Sequence, residues 1–179
     1  MDWTRTVLVI ISMVFLSCEV PTGDFENPLD WENLYKKGVE VPALVFVPDE
    51  VTVSVGDSVE LRIIALEVNN VRGVSVTVKY DTTRLELKSV KAGDFLRGGN
   101  DPLFVYEKNS QSMTLDIHTV CLGPDSLSYS GTGSVAKIVF SVLAEGLSTV
   151  TIAGKSECVD PSDEPIQLET FGSAYINVE

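Results

Sequence analysis

An antiparallel β-sandwich is the fold class this sequence predicts, and three observations carry it. Roughly nine or ten short runs of strand-forming residues recur about 8–15 residues apart. No amphipathic helix of useful length interrupts them. The breaks between runs are built from Gly, Asp and Asn, residues that turn an extended chain.

The strand-like region starts at Ala43. Leu44 to Val47 and Val51 to Val55 are two short strands separated by Pro48-Asp49-Glu50, with Gly56-Asp57 as the next turn. Ser58 to Val68 is a long strand. Val59, Leu61 and Ile63 alternate with Glu60 and Arg62, then the phase slips so that Ile64, Leu66 and Val68 carry the apolar positions. Such a slip marks a β-bulge or a strand buried on both sides. Asn69-Asn70 is expected to turn the chain. From Gly73 to Asp81 the alternation is clean: Val74, Val76, Val78 and Tyr80 face one way, Ser75, Thr77 and Lys79 the other.

Leu85 to Val90 is the next strand, and Lys91 to Gly99 a Gly-rich loop. Leu103 to Glu107 and Met113 to Val120 flank a polar connection that suits a hairpin. In the second arm Met113, Leu115 and Ile117 are expected inward and Thr114, Asp116 and His118 outward. After a loop from Leu122 to Gly133, Ser134 to Ala144 holds Ala136, Ile138, Phe140 and Val142 in phase. Thr149 to Ile152 and Ser173 to Val178 complete the set. The core is expected to contain Val76, Val78, Ile138 and Phe140.

Composition narrows the function. A hydrophobic fraction of 44% indicates a packed domain, and a formal net charge of -13 sets long-range repulsion against nucleic acid or an anionic membrane. Residues 1–17 have the form of an export signal: Arg5 precedes the apolar run Val7 to Leu16, which is too short to span a bilayer as a helix. Cys18, after small Ser17, sits where bacterial lipoproteins carry their lipid-accepting cysteine, so lipidation at Cys18 is expected; the alternative is an ordinary secretory signal with an incidental cysteine. Residues 18–42, with Pro21, Gly23, Pro28, Gly38 and Pro42, read as a tether, within which Asp30 to Lys37 could form a short helix. Residues 43–179 form the domain. The protein is expected in the cell envelope or at the surface, with its lipid as the one membrane contact.

Cys121 and Cys158 could pair in an oxidising compartment or remain two partly buried thiols. His118 is the one histidine, mid-strand and without a nucleophile motif beside it, so catalysis is not expected. Neither a cofactor nor a metal site is expected. Asp160, Ser162, Asp163 and Glu164 carry oxygens that suit Ca²⁺, but a solvated acidic loop has the same composition. A polysaccharide platform would need a row of exposed aromatics. Trp3 and Trp31 lie outside the domain, which leaves Tyr106 and Tyr129 for that alternative.

Several segments, in order, resemble cohesin domains. They are Val55-Gly56-Asp57-Ser58-Val59, Gly73 through Lys79-Tyr80-Asp81, Leu85-Glu86-Leu87, Gly93-Asp94-Phe95-Leu96, and Gly131-Thr132-Gly133-Ser134 through Phe140. The resemblance runs from about residue 43 to 178. It implies a nine-stranded jelly roll that docks a calcium-loaded dockerin helix pair, or another surface protein, on one sheet face, in a setting of polysaccharide degradation. In that family the strand before the Lys-Tyr-Asp turn often offers Asn and Asp to the partner; the outward positions here are Gly73 and Ser75. Tyr106 aligns with an interfacial aromatic. The expected docking set is therefore Ser75, Thr77, Lys79, Thr114, Asp116 and His118, with Tyr106 as its anchor.

Overall fold

The computed structural model describes residues 36–98, 101–124 and 126–179. The signal segment, Cys18 and nearly all of the helix expected over Asp30 to Lys37 lie outside the described residues. Thirteen strands follow in chain order: β1 Ala43–Val47, β2 Glu50–Val53, β3 Ser58–Val71, β4 Gly73–Lys79, β5 Leu85–Ala92, β6 Leu103–Asn109, β7 Thr114–Val120, β8 Tyr129–Val142, β9 Gly146–Ile152, β10 Glu157–Val159, β11 Pro165–Ile166, β12 Thr170–Phe171 and β13 Ser173–Val178. One sheet has the order β12-β1-β3-β8-β5. In the other, β4 is central. β7 and then β6 lie on one side of it; the far edge is shared by β10 at Gly73–Ser75 and β9 at Val78–Lys79.

The two sheets enclose one apolar core, in which Val76, Val78, Ile138 and Phe140 are fully buried. Tyr80 closes it from the end of β4, its ring 5.0 Å from that of Phe140. Burial raises the Tyr80 phenol above its usual range.

Four expectations change in the structure. The sheets are not purely antiparallel: β1 pairs with β12, and β2 with β13, in parallel. The chain changes sheets at Pro48-Asp49, so β1 and β2 cannot pair with each other and each lies along a late strand instead. Asn69-Asn70 does not turn the chain. β3 runs on to Val71, with Glu67 and Asn70 at positive φ as bulges against β8. Their amides are met by side-chain hydroxyls, Glu67 N–H donating to Thr132 Oγ1 (3.1 Å) and Asn70 N–H to Ser130 Oγ (2.9 Å). Upstream, β3 is buried on both faces, Ile63 and Ala65 facing the core, Ile64 and Leu66 a second cluster outside it. Met113 is exposed at φ 53, because the turn ends there and β7 begins one residue later.

The fourth change is at the domain boundary. Val39 and Val41 pack on the outer cluster of Ala43, Val45, Val47, Ile64 and Leu66. The Thr170 hydroxyl accepts from Glu40 N–H (2.9 Å) and donates to Glu40 O (2.8 Å), and Lys37 pairs with Asp49. The last residues of the expected tether thus belong to the packed body.

Cys121 and Cys158 are free, buried thiols in this structure. β4 runs between them: Cys158 pairs with Val74 on one edge, while Cys121 N–H donates to Arg72 O on the other. Two strand spacings are about 9–10 Å, beyond the ~7 Å Cα separation that a disulfide spans. Burial pushes the Cys158 thiol up to about 12 and raises Cys121 as well. Both thiols are expected to resist alkylation in the native protein and to react on unfolding, and reductant should leave the melting temperature unchanged. A drop in melting temperature with reductant would restore the bridge.

Candidate docking face

Directly opposed residues of an antiparallel pair project to the same face, so the strand register assigns every side chain of the second sheet. On its outer face the rows run from β6 through β7 to β4. Leu103, Val120 and Gly73 form the first; Val105, His118 and Ser75 the second; Glu107, Asp116 and Thr77 the third; Asn109, Thr114 and Lys79 the fourth. β10 extends the first two rows with Val159 and Glu157. β9 and β13 extend the fourth with Thr151 and Ser173, and beyond it carry exposed Leu147 and Tyr175.

Six of the expected residues, Ser75, Thr77, Lys79, Thr114, Asp116 and His118, do share this face. Five of these side chains, all but that of Lys79, are bonded to one another or to adjacent loops. Ser75 Oγ lies 3.0 Å from His118 Nδ1. Thr77 Oγ1 donates to Asp116 Oδ1, and Lys155 Nζ reaches the same carboxylate at 3.4 Å. The Thr77 hydrogen bond first, then the Lys155 charge, holds the Asp116 carboxyl below its usual range. A depressed folded-state value means a contribution that is present in full above the unfolded value and lost as pH falls through the folded one, here in the acid range below about pH 4.

Thr77 and Thr114 are corrections to the expected set. They lie on the face but are 5% and 7% exposed, so they hold it together and offer little to a partner. Thr77 sits where β10 ends and β9 begins. Its backbone spans that fork by donating to Ser156 Oγ (3.0 Å) and accepting from Ala153 N–H (2.8 Å). Thr114 bonds Ser112 Oγ at 2.8 Å. Between them, Lys79, Asn109, Asp116 and Lys155 line a polar hollow of about 570 Å³.

Tyr106 is the larger correction. It is opposite Ile117, a core residue, so it projects from the inner side of β6 where that strand overhangs the sandwich. Phe104 lies beside it, ring centroids 6.4 Å apart. Tyr106 is exposed, yet it is on the opposite face from Ser75 and Asp116. Val105 and Leu103 take the outward positions instead, both about half exposed. The run Leu103-Phe104-Val105-Tyr106 is apolar throughout, so its sequence carries no period from which to assign a face; the pairing with β7 decides it. Lys155 was equally illegible, since it enters from the loop between β9 and β10.

A side chain at Gly73 would be tight: a Cβ there would meet Val159 Cγ2 at 3.1 Å and Val120 Cγ2 at 3.4 Å, so both side chains would have to give way slightly. The corner where the resemblance led to a polar pair is instead an apolar row of Leu103, Val120 and Val159. Tyr106 and Tyr129 lie in different sheets and make no stacking row. In the acidic loop Asp160 Oδ1 accepts from Ser162 N–H and Glu164 N–H, which closes a turn. Among the described residues no group of three or more His, Cys, Asp or Glu is placed to hold a metal ion.

The family model described as the cohesin domain matches residues 44–178. No curated protein matches the chain. Among solved structures, it is similar to the sixth cohesin of scaffoldin B from Acetivibrio cellulolyticus, solved in complex with a Cel5 dockerin, at 27% identity and TM-score 0.61, over 76% of this chain and 98% of that one. A type II cohesin domain from the cellulosome of the same organism gives 22% identity and TM-score 0.63, over 75% and 93%. A non-cellulosomal cohesin from the archaeon Archaeoglobus fulgidus gives 15% and 0.60, over 76% and 88%. With three quarters of its length matched by that one family model, the chain belongs to the cohesin domain family.

Proposed function

We propose that this chain is a non-catalytic docking module that presents the outer face of β6, β7, β4 and β9 to a dockerin-type protein partner. The observation that carries the reading is the state of that face: Ser75 is bonded to His118 and Thr77 to Asp116, and exposed aliphatic side chains flank them at Leu103, Val105 and Leu147. A partner meeting such a surface orders few side chains on binding, which lowers the entropic cost of association. The cohesin of Acetivibrio cellulolyticus solved with a dockerin supports the partner class. In this reading the module sits at the cell surface, held by lipid on Cys18, and its partner belongs to polysaccharide breakdown.

Calorimetric titration with a calcium-loaded dockerin tests the face. Ser75→Arg, at the centre of β4, should weaken binding about tenfold or more, as expected for the middle of an interface, whereas Tyr106→Ala should leave it within about twofold. The reverse pattern would move the docking surface to the other side of β6. Chelating calcium should abolish binding, because a dockerin folds around its ions, without shifting the melting curve of this sandwich. Recovery of polysaccharide and no protein partner from the native host would transfer the function to carbohydrate binding. For the anchor, intact mass of membrane fractions should show lipid on Cys18 and its loss in Cys18→Ala; an unmodified soluble protein overturns it.

A further inference from the structure

β6 ends the second sheet, pairing with β7 on one side and with no strand on the other among the described residues. A free edge offers unpaired backbone N–H and C=O groups to any extended chain, so folded proteins blunt their edges with shortness, proline, bulges or charge. The other edges of this sandwich carry such devices. β11 and β12 have two residues each, and β11 opens on Pro165. β5 is bulged between Leu87 and Ser89 and carries Glu86, Lys88 and Lys91. β2 has four residues. β6 has seven in unbroken register, with no proline, and opens on the apolar run Leu103 to Tyr106.

We propose that β6 is a self-association edge, pairing antiparallel with β6 of a second copy about a two-fold axis at Tyr106. Opposed residues share a face only when such an axis passes through a residue. Placed at Glu107 or at Lys108, it would set like charges directly opposite one another. At Tyr106 it sets the two Tyr106 rings together and each Lys108 over Phe104 of the second copy, an aromatic pair flanked by two cation–π contacts. On the other face Val105 meets Glu107 of the second copy. Among the described residues each chain has one such edge, so association closes at a dimer. Two acidic chains repel at long range, so the dimer tightens as salt rises, the opposite of a charge-driven contact.

Sedimentation of the purified chain from micromolar to submillimolar concentration tests this. The expected result is a monomer–dimer equilibrium, weakened about tenfold by Tyr106→Lys with the melting curve unchanged. Tyr106→Cys should add a disulfide-linked dimer under mild oxidation that the unsubstituted chain does not form. A monomer at every concentration overturns the proposal, as does an open-ended assembly, or a dimer that neither substitution affects. Ser75→Arg in the dockerin titration lies on β4, two strands from this edge, so a failure of the docking reading and a failure of this one are told apart.

Discussion

Phe140→Ala is expected to lower the stability of the domain by about 3–5 kcal/mol, the range for removing a fully buried phenylalanine. Phe140 is 0% exposed, near the C-terminal end of β8, where β3 presents Val59 and β5 presents Leu87 on either side. From the opposite sheet the tilted ring of Tyr80 packs against it, centroids 5.0 Å apart. The truncation opens a cavity in the core, and the long strands around it cannot collapse without breaking register. The Tyr80 hydroxyl is buried without a hydrogen-bond partner. A loss of that size corresponds to roughly 6–20 °C in melting temperature for a domain of this length. Thermal and denaturant unfolding measure it; a change below about 1 kcal/mol would mean that the site repacks freely.

The second large effect is expected at Gly93. A Cβ there would lie 2.0 Å from Ser134 O and 2.4 Å from its carbonyl carbon, both backbone atoms of β8. Neither can move without carrying the strand with it. The same approach is held by hydrogen bonds from Gly93 N–H to Val135 O (2.9 Å), Phe95 N–H to Ser134 O (2.8 Å) and Ser134 N–H to Asp94 Oδ1 (3.1 Å). Phe95 in turn occupies the space above Gly133, where a Cβ would meet its ring at 2.8 Å. Gly93→Ala should therefore cost about 3 kcal/mol or more, the upper end for overpacking. Gly154→Ala is its control, since nothing lies within 4 Å of a Cβ there, and it should stay within about 0.5 kcal/mol. Equal melting curves for the two variants would show that the loop from Gly93 to Leu96 does not bear on β8.

Those contacts explain why two glycine-containing segments forty residues apart belong to one recognisable pattern. Gly93-Asp94-Phe95-Leu96 and Gly131-Thr132-Gly133-Ser134 are the two sides of a single backbone approach. The Lys79-Tyr80-Asp81 turn is likewise structural: Tyr80 fills the core, and Asp81 Oδ1 accepts from Thr83 N–H at 2.9 Å.

The sequence by itself determined the sandwich, because a period of two in β4, β7 and β8 states which residues are inside wherever apolar and polar alternate. Val76, Val78, Ile138 and Phe140 were legible for that reason, and so were Ser75, Asp116 and His118 as neighbours on one outer face. Periodicity is a local signal, and it failed where neighbouring strands made the decision. Tyr106 sits in an all-apolar run, so only its register with Ile117 places it on the inner side. Thr77 alternates as a solvated residue should, yet the fork between β10 and β9 closes over it. Two-residue strands such as β11 and β12 are too short to show any period and exist only through their partners. The parallel pairings of β1 and β2 depend on strands more than a hundred residues away. Which edge was left open was decided in the same way, by strand order and not by any residue of β6 itself.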